Sequence, residues 1–128
     1  ARTGLSVRSE ELSERAQSEI AAFNQGATPI AGGIDLVLPD VAEDGHKVSL
    51  KCAARGAEEL LVVAPFNPVP TLMRARFGGQ ATPGRLATRV RLAQSQEVLA
   101  FARMPDGTLR RTARAVTVIV GGCAPQGG

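Results

Sequence analysis

At 128 residues the chain is the size of one ordinary domain, long enough to bury roughly two-thirds of its unfolded surface in a single core. Four Phe and no Trp or Tyr stand among abundant Ala, Val and Leu, so that core is aliphatic and a role in stacking nucleic-acid bases on aromatic platforms is disfavoured. The net charge of +3 conceals an asymmetry: residues 1–70 carry ten acids and six bases, residues 71–128 nine arginines and two acids. That division suggests an acidic partner, an anionic ligand or internal pairing, but arginines solvating strand faces are the favoured reading.

No stretch approaches the roughly 20 apolar residues of a membrane span, so the chain is expected to be soluble, with neither membrane nor nucleic acid as partner. It opens on Ala1 without a signal peptide, which fits a secreted protein that has been processed or trimmed. Its two cysteines, Cys52 and Cys123, stand in such different settings that two free thiols are expected rather than one disulfide.

Ser9 followed by Glu10 and Glu11 reads as an N-cap with acids in the first turn, where the helix dipole favours them. Leu12, Ala16, Ile20 and Phe23 recur at helical spacing and predict one amphipathic helix over about residues 10–24, ended by Gly26. From Thr28 onward the pattern changes to short apolar runs between turn residues, the mark of β-structure. Strands are expected at Ile34–Leu38, Lys47–Cys52, Leu60–Ala64, Thr71–Phe77, Arg85–Leu92, Val98–Arg103, Thr108–Arg114 and Val116–Val120. Breakers separate them at Pro39 to Gly45, Pro65 to Pro70, Gly78-Gly79, Pro83-Gly84 and Pro105-Asp106-Gly107.

Within Arg85–Leu92, the residues Leu86, Thr88, Val90 and Leu92 face one way and Arg85, Ala87, Arg89 and Arg91 the other, a half-buried strand with an arginine-rich outer face. Met104-Pro105-Asp106-Gly107 suits a type I turn closed by a glycine at positive φ and predicts a hairpin. Short strands at this spacing predict a mainly β fold, an immunoglobulin-like β-sandwich over residues 1–120 carrying the N-terminal amphipathic helix. A flexible, glycine-rich C-terminal arm over residues 121–128 follows.

The inventory for catalysis is thin. The one histidine, His46, sits in the polar turn Glu43-Asp44-Gly45-His46, the setting of a solvated residue rather than of a general base, which needs a cleft and a partner. A zinc site draws on clustered His, Cys, Asp or Glu ligands, and none of the usual patterns occurs. Gly32-Gly33 and Gly78-Gly79 are isolated pairs that read as turns, not as phosphate or dinucleotide motifs. Glu10-Glu11 and Glu58-Glu59 suit a helix start and a loop better than carboxylates held across a cleft. No metal or cofactor is therefore expected. Cys52 shares a strand face with Val48 and Leu50, opposite Lys47, Ser49 and Lys51, and reads as a small core residue with an inert thiol.

Cys123 differs. It follows the β-forming run Val116-Thr117-Val118-Ile119-Val120 and is embedded in Gly121-Gly122-Cys123-Ala124-Pro125-Gln126-Gly127-Gly128, which has no large apolar side chain to anchor it. An extended backbone carries its sulfur roughly 10 Å beyond Val120, at about 3.3–3.6 Å per residue. Gly121 and Gly122 lack Cβ atoms, so the backbone can thread a narrow channel and turn inside it. On spacing alone, a functional thiol and an accidental cysteine in a ragged tail remain equally open.

Several phrases together weight that choice. They are the helix leading to Gly26-Ala27-Thr28-Pro29, Leu36 through Ala42-Glu43, Thr88-Arg89-Val90-Arg91-Leu92-Ala93-Gln94-Ser95-Gln96, Met104 to Asp106-Gly107-Thr108, and Gly121-Gly122-Cys123. With them the chain resembles the SoxY family over most of its length, the arm being the specific part and the strand phrases supporting it. The resemblance implies an immunoglobulin-like sandwich that pairs with SoxZ in the periplasm and carries sulfur intermediates covalently on the arm cysteine, here Cys123. It further implies that a haem protein, SoxAX, oxidatively joins thiosulfate to the thiol, that the thiohydrolase SoxB removes the terminal sulfonate as sulfate, and that in many systems SoxCD oxidises the remaining sulfane sulfur. The carrier itself is then no enzyme and holds no metal or haem. Because the family pairs, part of the apolar run Leu60-Leu61-Val62-Val63, which lacks polar alternation, is expected to be subunit interface.

The arm departs from the family pattern, which usually ends Gly-Gly-Cys-Gly-Gly. Here Ala124-Pro125-Gln126 separates the cysteine from Gly127-Gly128; Pro125 fixes φ and removes an amide donor, and its neighbours add bulk beside the thiol. With no histidine near a mobile arm, activation of the thiol is expected to fall to partner enzymes, since an exposed cysteine is only a few per cent thiolate at neutral pH. Two other readings stand beside the carrier. One is an Ig-like binding or accessory module with an incidental tail cysteine, and the other a redox enzyme pairing Cys52 with Cys123, which needs Cys52 exposed.

Overall fold

The computed structural model describes residues 14–77 and 84–119. The proposed cap at Ser9, Leu12, the Gly78-Gly79 and Pro83 turns, and the arm with Gly121, Gly122 and Cys123 lie outside the described residues. A helix, α1, occupies 14–24. Among the described residues nine strands follow: β1 (Ile30–Ala31), β2 (Asp35–Val37), β3 (Val41–Ala42), β4 (Val48–Ala53), β5 (Glu59–Val63), β6 (Thr71–Arg76), β7 (Arg85–Val90), β8 (Gln96–Arg103) and β9 (Leu109–Val118). Among the described residues no helix is long and apolar enough to cross a membrane.

The strands form two sheets. The larger has the order β1-β9-β8-β5-β6, with β3 also on β9, and the smaller the order β2-β4-β7. All pairs are antiparallel except β1 and β3, which lie parallel to β9. β4 shows why the sheets face each other: Val48, Leu50 and Cys52 are buried while Ser49 and Lys51 are exposed, so one side enters the core and the other meets water. The inward side chains of the smaller sheet meet Leu60, Val62, Val98, Ala100 and Val116 of the larger one. The expected mainly β sandwich with an N-terminal helix is the observed architecture, and Gln25 and Gly26 at positive φ end the helix where Gly26 was expected to.

A second apolar cluster lies on the opposite side of the larger sheet, where Ala16, Ile20 and Phe23 of α1 pack on Leu61, Val63, Leu99, Phe101 and Leu109. β5 is therefore buried along its whole length. This corrects the expectation that part of Leu60-Leu61-Val62-Val63 is subunit interface: Leu60 and Val62 enter the sandwich, and Leu61 and Val63 are covered by the chain's own helix. The run lacks polar alternation because both of its faces are interior.

Other differences concern boundaries. The two strands expected at Thr108–Arg114 and Val116–Val120 are one, β9, in unbroken register with β8 from Arg103↔Leu109 to Gln96↔Val116; Ala115 between them is no breaker. β1 and β3 were not foreseen, being two residues each and defined by pairing with β9 rather than by their own pattern. The hairpin at Met104–Gly107 forms as expected, with Gly107 at φ 88° and its amide donating to the Met104 carbonyl at 2.9 Å.

Glu59 is no loop residue. It opens β5 with 6% exposure, and Arg74, Arg76 and Arg103 converge on its carboxylate, the first two at 3.0 and 3.7 Å. Arg103 also donates to the Phe23 carbonyl at the end of α1, and its guanidinium lies 4.6 Å from the Phe23 ring centroid. A buried carboxylate persists only when paired, and a cation at a helix C-terminus is favoured by the dipole. One cluster thus neutralises Glu59 and fastens the helix. Phe23→Ala should cost about 3–5 kcal/mol in urea unfolding and strip hydrogen-exchange protection from 14–24 before the strands; a loss under about 1 kcal/mol would show that α1 is not held in this way.

Candidate functional site: the root of the C-terminal segment

β9 carries the chain out of one end of the sandwich, and its last described residues are held on two sides. β3 pairs with it at Val41↔Thr117 and Ala42↔Val118, the Thr117 amide donates to the Asp40 carbonyl at 2.8 Å, and the Ile119 amide donates to the Ala42 carbonyl at 2.9 Å. On the other side the Val118 amide donates to Ser95 Oγ at 2.8 Å. The sequence 120–128 thus begins one residue beyond a hydrogen-bonded anchor.

Ser95 belongs to a loop that is itself braced. The buried Asn67 side chain donates to the Arg91 carbonyl at 2.7 Å and accepts from the Ala93 amide at 2.9 Å and from Gln96 Nε2 at 3.1 Å. Gln96 Oε1 accepts from the Phe66 amide at 2.9 Å. Two buried amides so join the 64–70 and 91–96 loops, each bonding groups that would otherwise be stranded away from water.

A hollow of about 510 Å³ opens at this end, bordered by Asp44, His46, Pro68, Arg91, Val118 and Ile119. His46 stands in the exposed turn foreseen for it, its Nδ1 3.3 Å from Asp44 Oδ1. The backbone hydrogen bond from His46 is the main reason that the Asp44 carboxyl is held below its usual range. His46 borders the hollow together with Val118 and Ile119 because the fold returns the 43–46 turn to the end of β9; the expectation that no histidine stands near the Cys123 thiol falls on residues outside the described ones. The Gly45 carbonyl accepts from the Leu92 amide at 2.8 Å, and a Cβ on Gly45 would stand 2.7 Å from the Leu92 carbonyl oxygen; only glycine allows that approach.

Cys52 is a free thiol, 1% exposed, in the centre of the smaller sheet between Leu36 and Leu86. Burial, with the nearby Asp35 charge, pushes its pKa up to about 11. A thiol kept protonated and covered is no nucleophile, which removes the support for a redox pair with Cys123. Among the described residues no group of three or more His, Cys, Asp and Glu side chains could hold a metal ion.

Asn67, Ser95, Gln96 and Glu59 were missed as positioning residues. Gln96 left one trace, since it heads the inward series Gln96, Val98, Ala100, Ala102, where a polar residue needs a partner. Asn67 left none, because asparagine in a loop between prolines is ordinary.

The described residues define a helix-backed β-sandwich whose last strand leads into a cysteine-bearing C-terminal sequence. The chain belongs to the SoxY family: the family model described as "Sulfur oxidation protein SoxY" matches residues 20–123, so the match ends on Cys123. The structure is similar to that of the sulfur carrier protein SoxY from Chlorobium limicola f thiosulfatophilum, with a TM-score of 0.70 and 23% identity over 84% of this chain and 100% of that one. It also resembles the superoxide reductase (neelaredoxin) from Ignicoccus hospitalis, with a TM-score of 0.57 and 14% identity over 69% of this chain and 81% of that one. These structural likenesses show the fold. No curated protein sequence matches the chain.

Two outcomes follow. Ser95→Ala removes one partner of Val118 and should cost about 1 kcal/mol while speeding amide exchange at Val118 and Ile119 more than at β5; uniform exchange would refute an anchoring role. For Cys52, a folded-state pKa raised from 9.0 to about 11 means that the native state holds its proton more tightly than the unfolded one. Its contribution to stability is then complete below pH 9 and is lost as pH rises towards about 11. The difference in urea stability between the wild type and Cys52→Ala should narrow over that interval, and a constant difference would show that the thiol does not titrate this way.

Proposed function

We propose that this chain is a sulfur carrier that holds sulfur intermediates covalently on the thiol of Cys123 and presents them to partner enzymes. The observation that carries the reading is the family match, which runs from within α1 through the sandwich and ends on Cys123. The anchored end of β9 supports it: a reactive group offered to another protein's active site needs a defined point of departure.

In this reading the thiol and thiosulfate together lose two electrons to an oxidised haem acceptor of the SoxAX type and release one proton, forming a sulfur–sulfur bond that leaves a sulfonate at the free end. Water, delivered by a SoxB-type hydrolase, then removes that sulfonate as sulfate and leaves a persulfide on Cys123, which a SoxCD-type enzyme can oxidise. Gly121 and Gly122 give the backbone freedom to enter the partner's site. Pairing with a SoxZ-like subunit and a periplasmic location belong to the same proposal. With the outer side of β5 under α1, the apolar surface left for a subunit lies elsewhere, and half-exposed Val41 and Ile119 beside the root of the arm offer it.

The test is to incubate the wild-type chain and Cys123→Ser with SoxZ, a SoxAX-type enzyme, an oxidised acceptor and thiosulfate, and to compare intact masses before and after a reductant. Reductant-reversible adducts on the wild type alone support the carrier; equal adducts on both refute it. Cys52→Ala should load as the wild type does. Deleting Ala124-Pro125-Gln126 should speed loading if Pro125 restricts entry, and equal rates would make that segment a passive tail.

A further inference from the structure

Nine arginines and two acids fall within residues 71–128, and Glu59 accounts for three of those arginines. Arg85, Arg89 and Arg91 belong to a different surface. The outward face of β2-β4-β7 is built from the rungs Asp35–Ala53–Arg85 and Val37–Lys51–Ala87 and the pair Ser49–Arg89, so Lys51 sits diagonally between Arg85 and Arg89. Lys47 and Arg91, both exposed, extend the same row beyond the start of β4 and the end of β7. Five cations thus share a face with one acid, Asp35. Among the described residues no carboxylate lies within 4.0 Å of any of the five.

That pattern is not the one a merely solvated strand face needs. Like charges on neighbouring strands destabilise a sheet; on the opposite sheet Glu59 gathers Arg74, Arg76 and Arg103, while Arg110, Arg111 and Arg114 of β9 are spread along one strand. An apolar patch lies beside the basic row: Val37, on the edge strand β2, is 53% exposed, and with Ala53 and Ala87 it lines a hollow of about 560 Å³ that Lys51, Arg85 and Asp35 also line. An apolar seat bordered by charged residues is the anatomy of a protein interface. Base stacking has no platform here, since the face carries no aromatic side chain.

We propose that the outward face of β2-β4-β7 is a docking surface for an acidic protein surface, with Val37 as its seat and Lys51, Arg85 and Arg89 as its rim. Its position gives the binding a use. The row runs along β4 to Lys47, roughly 20 Å from Ala53 at about 3.3 Å per residue, and Lys47 adjoins His46 at the hollow that Val118 and Ile119 border. A partner docked on this face extends to the root of the arm. That this partner is an enzyme acting on the arm rests on the carrier reading; the binding itself does not.

The binding is tested by titrating the isotopically labelled full chain with an acidic peptide of alternating glutamate and leucine and, separately, with a DNA duplex of matched charge. Peptide-induced shifts should concentrate at residues 35–37, 49–53 and 85–91, with affinity falling about tenfold between 0.05 and 0.3 M salt. The double variant Lys51→Glu/Arg89→Glu, its fold checked by the same amide spectrum, should lose at least about tenfold in affinity, and Lys51→Gln/Arg89→Gln should fall between. Shifts spread equally to Arg110, Arg111 and Arg114, wild-type affinity in the reversed variant, or tighter binding of DNA than of peptide would each overturn the proposal. In the loading reaction the reversed variant should react more slowly with the enzyme while its thiol reacts with a small disulfide at the wild-type rate; equal enzymatic rates would overturn the link to the arm. Failure of the wild type to load at all would instead count against the carrier reading and leave the peptide result standing.

Discussion

The larger sheet has a sandwich partner on one side only, and α1 supplies the cover for the other. Without the helix, Leu61, Val63, Phe101 and Leu109 would face water in the middle of the molecule. The dependence is mutual, since a helix this short draws little stability from propensity and forms because an apolar face has somewhere to go. Phe23 and Arg103 join the two at a single place, where burial, a ring–cation contact and the pairing of Glu59 coincide. The alignment of β5 between β6 and β8 rests on that cover, and the β8–β9 ladder that leads to Ile119 rests on β5.

Much of this was legible in the residues. Leu12, Ala16, Ile20 and Phe23 announced a helix with one apolar face, and the alternation in Val48–Cys52 announced both the strand and the fate of its cysteine. Such patterns are local, and local patterns survive into the fold. What escaped was decided by contacts between distant residues. Glu59 looks like a loop acid until Arg74, Arg76 and Arg103 are folded against it. The run Leu60-Leu61-Val62-Val63 shows that two faces are covered but not by what, and a neighbouring subunit was as good a reading as the chain's own helix. His46 and Ile119 lie far apart in sequence, so nothing in either segment could show that they border one hollow.

The candidate site was less legible than the fold for a related reason. Cys123 drew attention because the sequence around it has no large apolar side chain to bury it, and the family match ends on that residue. The groups that position its point of departure are ordinary polar residues, Ser95, Asn67 and Gln96, and each acquires its role only through partners in another loop. The charge asymmetry was visible at once, but whether its arginines were paired could be read only after the sheets had sorted them. Glu59 gathers three of them on the larger sheet, and the outward face of the smaller sheet displays three more.

The pairing of β9 also determines how the protein bears a load. A pull on the chain beyond Ile119 would pass into β9 along its own axis. The hydrogen bonds to β8, β1 and β3 lie across that axis, so they are sheared together rather than opened one after another. Eight register pairs with β8, from Leu109 to Val116, share the tension, and the short parallel strands add support at both ends. The last strand is thereby joined to the sheet as a lap joint, which yields by shear along its length and not by unzipping from one end.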